Sequence, residues 1–185
     1  MINQKGFTIV EVLVVVMVIS LVLMVTIVNF PFAKLQLTLS RVTYKFEQDV
    51  RRAQNMALSS FQYKDENGVF QEVAGYGVYV NLAILGNKKY IIYADTFPGN
   101  KQYDAFDYVI ETVDFSLSEL GIIIKQIDNV VSNAVSVNFE SPVFDTFISQ
   151  LHQNQNTAKF IFAIETKPEK TKSVWVNTSS LVEVK

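Results

Sequence analysis

From Val12 to Val28 the chain is apolar except for Ser20 and Thr26, and no later run approaches that length. The stretch from Phe7 to Val28 holds 22 residues, among which Thr8, Ser20 and Thr26 are polar but uncharged and Glu11 is the one charge. About 20 apolar residues wound as a helix, at about 1.5 Å each, cross the hydrocarbon core of a bilayer. Its many β-branched residues do not oppose this, because a backbone amide in lipid has no water to pair with. Beyond the span comes Asn29-Phe30-Pro31-Phe32, where Pro31 is expected to kink the helix. Residues 34–61 then contain neither Gly nor Pro. Leu35, Leu39, Val42, Phe46, Val50, Ala53, Ala57 and Phe61 recur in steps of three and four, forming one stripe of an amphipathic helix. The other side carries Arg41, Lys45, Glu47, Gln48, Arg51, Arg52 and Asn55. A helix over residues 7–61 would measure roughly 80 Å, half in lipid and half packed on a sheet of its own domain.

Past Phe61 the period shortens. Residues 75–82 alternate as Tyr76, Val78, Val80 and Leu82, and residues 90–94 form a short apolar run. Residues 108–115, 121–127, 135–139, 160–164, 174–176 and 181–184 are further candidate strands. Turn residues separate them: Asp65-Glu66-Asn67-Gly68, Gly86-Asn87, Pro98-Gly99-Asn100 and Lys167-Pro168-Glu169. The pattern predicts an α+β fold, a long N-terminal α-helix (membrane anchor plus amphipathic half) packed on a largely antiparallel β-sheet domain.

Composition removes several classes of function. The chain of 185 residues has room for one ordinary domain beyond the apolar segment. It contains no cysteine, so disulfide staples, thiolate metal sites and thiol chemistry are excluded. With 16 basic against 18 acidic residues there is no electrostatic footprint for nucleic acid. The lysines near the C-terminus, Lys167, Lys170, Lys172 and Lys185, are interrupted by Glu165, Glu169 and Glu183, and residues 167–172 read as a solvated hairpin turn. The single histidine, His152, lies in a polar stretch that reads as an exposed loop, without the partners that triad or zinc chemistry needs. No catalytic role is expected. One tract carries convergent oxygen ligands: Asp95, Asn100, Asp104 and Asp107 surround a Pro-Gly turn and form a candidate calcium site, without the spacing of an EF-hand. A solvated turn with scattered acids is the competing expectation.

Glu11 decides how the apolar segment is read. A cleaved secretory signal has an apolar core of about 7–15 residues and small residues at its cleavage site. Here the core is longer, and in a site ending at Ala33 the −3 position, where a small residue is needed, holds Pro31. A plain signal anchor explains the length but not the carboxylate, which costs about 2.5–3.5 kcal/mol at membrane depth and points to function. Lys5 stands alone before the span while Lys34, Arg41 and Lys45 follow it, so charge does not set the orientation.

The run Gly6-Phe7-Thr8-Ile9-Val10-Glu11 resembles the processing motif G-F-T-[LI]-[VI]-E of the type IV pilin and pseudopilin family. That resemblance implies prepilin leader cleavage between Gly6 and Phe7 on the cytoplasmic side, N-methylation of Phe7, and a retained helix in which Glu11 serves assembly and register. It divides the chain into a leader (1–6), a transmembrane and filament-core helix (7–33) and a head domain (34–185). Many members carry a proline near this depth where this chain has Val28, and Pro31 stands three residues later. The implied partners are other pilin or pseudopilin subunits, a prepilin peptidase, an inner-membrane assembly platform and membrane lipid, with no nucleic acid. The implied location is the cytoplasmic membrane, with the head outside, and then the filament.

Two further segments narrow the likeness. Residues 46–57, with Asp49-Val50-Arg51 at their centre, resemble the D-[LV]-R-x-A helix of FimT/GspH-like minor pseudopilins. Gly75-Tyr76-Gly77-Val78 resembles their G-[YW]-G-[VI] strand, and residues 95–107 fall where those proteins often carry an acidic loop. A major pilin and a signal-anchored binding domain that never polymerises are the alternatives.

Overall fold

The computed structural model describes residues 6–59, 61–64, 67–116, 118–119, 121–140 and 145–185. Leader residues 1–5, and Asp65 and Glu66 of one expected turn, lie outside the described residues. By its contacts the chain divides into two compact units, Met1–Leu37 and Thr38–Lys185. One helix, α1 (Ile9–Leu58, 50 residues), contributes to both and includes Pro31.

In the first unit α1 has no core to join. Its 19 residues Ile9–Ile27 are apolar and long enough to cross a membrane, and none is buried by the protein. Apart from Glu11, the polar exceptions are self-satisfied: Ser20 Oγ donates to the Val16 carbonyl (2.8 Å) and Thr26 Oγ1 to that of Val22 (2.9 Å). Bonding back to residue i−4 spares each hydroxyl an unpaired proton in an apolar surrounding.

In the second unit the same helix turns one face inward. Leu39, Val42, Phe46, Val50, Ala53 and Ala57 of the expected stripe are buried, and Phe46 is 0% exposed. Thr43 joins them because its hydroxyl donates to the Leu39 carbonyl at 2.7 Å. The helix stops at Leu58, three residues short of the expected Phe61. There the Phe61 N–H reaches the Met56 carbonyl (3.0 Å), a closure that terminates helices, and the Phe61 carbonyl accepts the Tyr76 hydroxyl.

Among the described residues eleven strands follow: β1 (Tyr63–Lys64), β2 (Phe70–Gln71), β3 (Val73–Asn81), β4 (Lys89–Thr96), β5 (Tyr108–Asp114), β6 (Ile122–Asp128), β7 (Ala134–Glu140), β8 (Thr146–Ile148), β9 (Thr157–Ile164), β10 (Lys167–Asn177) and β11 (Val182–Val184). All pairings are antiparallel. Besides the β1–β2 pair they build two sheets, of order β5-β4-β3-β7-β8 and β11-β10-β9-β6. Phe46 ties the helix to both: its ring lies 5.0 Å from Tyr90 on β4, and 4.9 and 5.3 Å from Phe160 and Phe162 on β9.

Two of the strand boundaries that differ from the expectation have a local cause. Leu82 is not in a strand, because Asn81 Oδ1 accepts the N–H groups of Ala83 and Ile84 (2.9 Å each) and turns the chain one residue earlier. Lys167-Pro168-Glu169 is not a turn but the start of β10; the turn is the preceding pair Glu165-Thr166. The β9–β10 register shifts between Lys167 and Thr171, which accommodates a proline that has no N–H for the ladder.

Candidate functional site

Gly6, Phe7 and Thr8 precede the helix, lack regular structure and are exposed, Phe7 by 82%. Threonine is a good helix cap because its oxygen can accept an orphan N–H of the first turn. Here Thr8 Oγ1 accepts the Glu11 N–H at 3.2 Å, and the Thr8 carbonyl accepts the Val12 N–H at 3.2 Å. Glu11 follows the cap by three residues, the spacing of a capping box, and its carboxylate in the first turn suits the positive end of the helix dipole. That Thr-x-x-Glu spacing is the sequence signal for the cap, a role the motif alone does not assign to Thr8.

Among the described residues, none demands glycine at position 6. A Cβ built there meets no atom within 4 Å. Phe7 and Glu11 line one shallow groove of about 240 Å³ with Val12, Val15 and Val16. Among the described residues, none pairs with the Glu11 carboxylate. The segment thus presents an accessible peptide bond, a lone carboxylate and an uncovered apolar surface in sequence.

The acidic tract has a different character. Asp95, the penultimate residue of β4, is 2% exposed, and its carboxylate accepts the N–H groups of Asn100 (3.2 Å) and Lys101 (2.8 Å) and the side-chain amide of Asn138 (3.0 Å). Burial pushes the Asp95 carboxyl above its ordinary range, and these bonds oppose that shift. Asp107 accepts the Thr96 N–H (3.0 Å), the Thr96 hydroxyl (3.0 Å) and the Asp104 N–H (2.8 Å). Asp104 accepts the Phe106 N–H (2.7 Å) and the Asn100 side-chain amide (2.5 Å), while Asn100 Oδ1 accepts the Gln102 N–H (2.8 Å). The four expected ligands therefore share one loop, beside a cleft of about 310 Å³. Their oxygens serve as acceptors that close that loop on itself. No group of three or more acidic or histidine side chains is placed to hold a metal ion among the described residues.

The loop is also clamped to the sheet beneath. The Tyr103 N–H donates to Ser136 Oγ (3.0 Å), its ring lies 4.7 Å from Tyr79 and 5.3 Å from Tyr93, and Lys101 pairs with Glu140 at 2.9 Å. The ion pair with Glu140 raises the Lys101 ammonium above its usual range. Gly75 and Gly77 make room for this layer. A Cβ on Gly77 would lie 2.7 Å from the Tyr93 ring, and one on Gly75 would lie 2.7 Å from Asn138 Oδ1.

The other family-like segment is likewise structural. Asp49, 6% exposed, pairs with Lys45 (3.1 Å) and accepts the Tyr90 hydroxyl (2.5 Å), a bond that joins α1 to the start of β4. Arg51 donates to Glu47 (2.9 Å) and to the Val182 carbonyl on β11 (2.7 Å). Arg52 reaches Glu111 on β5 at 2.6 Å. His152 is exposed in the loop before β9.

Residues 1–27 match the family model described as the prokaryotic N-terminal methylation motif. No curated protein and no solved structure matches the chain significantly. The matched segment holds the Gly6–Phe7 bond, Glu11 and nearly all of the membrane-length apolar run. A prepilin-type methylation motif on an N-terminal apolar helix supports a type IV pilin-like or pseudopilin subunit in general, a class that is structural rather than enzymatic. It is consistent with membrane anchoring, with processing by a prepilin peptidase and with assembly among other such subunits.

Proposed function

We propose that the chain is the precursor of a minor pilin or pseudopilin, anchored by α1 in the cytoplasmic membrane with its head domain outside. A prepilin peptidase removes residues 1–6, and an inner-membrane platform assembles the mature subunit into a type IV pilus, secretion pseudopilus or competence pilus. Hydrolysis adds one water across the Gly6–Phe7 bond, leaving a Gly6 carboxylate and a Phe7 amine that is then methylated. The observation that carries the reading is one of juxtaposition. The methylation-motif match falls on an exposed, non-helical Gly6–Phe7 segment joined directly to an apolar helix that the protein itself does not bury. The minor role, and the FimT/GspH-like subgroup, are supported by the likeness of Asp49-Val50-Arg51 and Gly75-Tyr76-Gly77-Val78.

Co-expression with a prepilin peptidase tests it. Intact mass of the mature chain is expected to report a methylated Phe7 at the N-terminus, and Gly6→Val is expected to remain uncut. Because glycine is not required by the chain's own packing, a loss of cutting in Gly6→Val reports the enzyme's subsite. A chain that keeps its leader beside an active peptidase would instead be a signal-anchored domain that does not polymerise.

In this reading Glu11 pairs with the Phe7 amine of a neighbouring subunit already in the filament. A charge pair in a low dielectric is costly to break and tolerates little misregister, so it sets the axial offset between subunits. Glu11→Ala is expected to insert and be cut normally, yet to be absent from sheared filaments on immunoblot. Incorporation equal to the parent's removes Glu11 as the register device.

A further inference from the structure

We propose that Thr8, by capping α1, is a positioning residue for leader removal: it ends the helix ahead of Phe7 and so holds the Gly6–Phe7 bond in unpaired backbone. The inference rests on the reading above that this bond is cut. Its basis is local geometry. Helical structure starts at Ile9, Gly6 to Thr8 are non-helical and exposed, and the Thr8 side chain takes up the Glu11 N–H that a longer helix would direct to Phe7.

The competing state is a helix continued backward by one turn. In lipid that state is favoured, because a membrane rewards every backbone group that is satisfied internally. Phe7 has no feature that stops a helix. In the continued helix the Phe7 carbonyl would accept the Glu11 N–H, and the Gly6 carbonyl would accept that of Val10. An enzyme that binds a peptide through main-chain hydrogen bonds needs those groups free and the segment extended. The Thr8 hydroxyl satisfies the Glu11 N–H within the cap and removes the incentive to continue. Glycine at position 6, a poor helix residue, acts in the same direction.

The test uses the full-length chain in detergent micelles with purified prepilin peptidase, and follows the rate of leader loss by intact mass. Thr8→Val keeps the shape and removes the acceptor, whereas Thr8→Ser and Thr8→Asn keep a capping oxygen on different frames. Thr8→Val is expected to be cut about three- to tenfold more slowly, the span that losing a cap implies, with Ser and Asn within about twofold of the parent. Amide exchange at Glu11 is expected to change in the Val variant alone, a readout independent of the enzyme. Cutting of Thr8→Val at the parent's rate overturns the inference. So does an Asn variant as slow as Val, since the peptidase would then be reading the threonine side chain itself. A parent chain left uncut overturns the processing reading and this inference together, whereas a cut parent with an equally fast Val variant overturns only the inference.

Discussion

The two units share one helix and use it in opposite ways. Over Ile9–Ile27, α1 shows its apolar side chains on every side; from Thr38 onward it hides a single stripe and leaves the rest to charges. The two stretches differ in composition and in arrangement: the first is almost wholly apolar, and the second interleaves its apolar residues with charges. An apolar helix with no stripe has no inward face and must be covered by something outside the chain, lipid or the helices of other subunits. An amphipathic helix is completed by its own domain, here by two sheets that meet it at Phe46.

The sharpest way to break this comparison is to separate the regions. Deletion of residues 1–34 is expected to convert a detergent-dependent chain into a soluble monomer that unfolds in one cooperative step, followed by sedimentation and urea denaturation. Aggregation of that fragment would mean that the head is not self-sufficient. Within the fragment, Phe46→Ala removes the ring that both sheets contact and is expected to cost about 3–5 kcal/mol in urea unfolding. A cost below about 1 kcal/mol, the range of a tolerated surface change, would place the shared core elsewhere. Tyr90→Phe takes one donor from Asp49 and leaves Lys45, so a loss of about 1–2 kcal/mol is expected in the same measurement. Smallest of all is the response to calcium. The carboxylates of Asp95, Asp104 and Asp107 already accept protein N–H groups, so millimolar calcium is expected to leave the melting temperature of the fragment unchanged. A rise that vanishes in Asp104→Ala would assign the loop to the ion.

Much of this was legible in the chain because it rests on short-range order. A 3.6-residue period marks Leu39 to Ala57 as one face wherever the partner lies, and an uninterrupted apolar run identifies a span without reference to any contact. Most strands were readable for the same reason, since side chains alternate at every second residue. Helix and strand ends were less so: Leu58 and Asn81 end their elements through bonds from Phe61 and from the Asn81 side chain, which periodicity does not weigh. The candidate processing site was legible as a motif, and its cap as a spacing of three residues. What the motif cannot convey is that Gly6 is free of any packing demand.

By itself, then, the sequence determined the α+β class, the apolar anchor, the helix face and the Gly6-Phe7-Thr8-Ile9-Val10-Glu11 segment, because each is written in neighbouring residues. Tertiary structure alone decided that the strands divide into two sheets and that β3 pairs with β7 and β6 with β9. It alone made the aspartates of residues 95–107 acceptors that close their own loop, and it set Asp49 against Tyr90, 41 residues away. Such pairings join residues far apart in the chain. Their energy comes from burial and from hydrogen bonds that exist only once the chain has closed, and no local period encodes them.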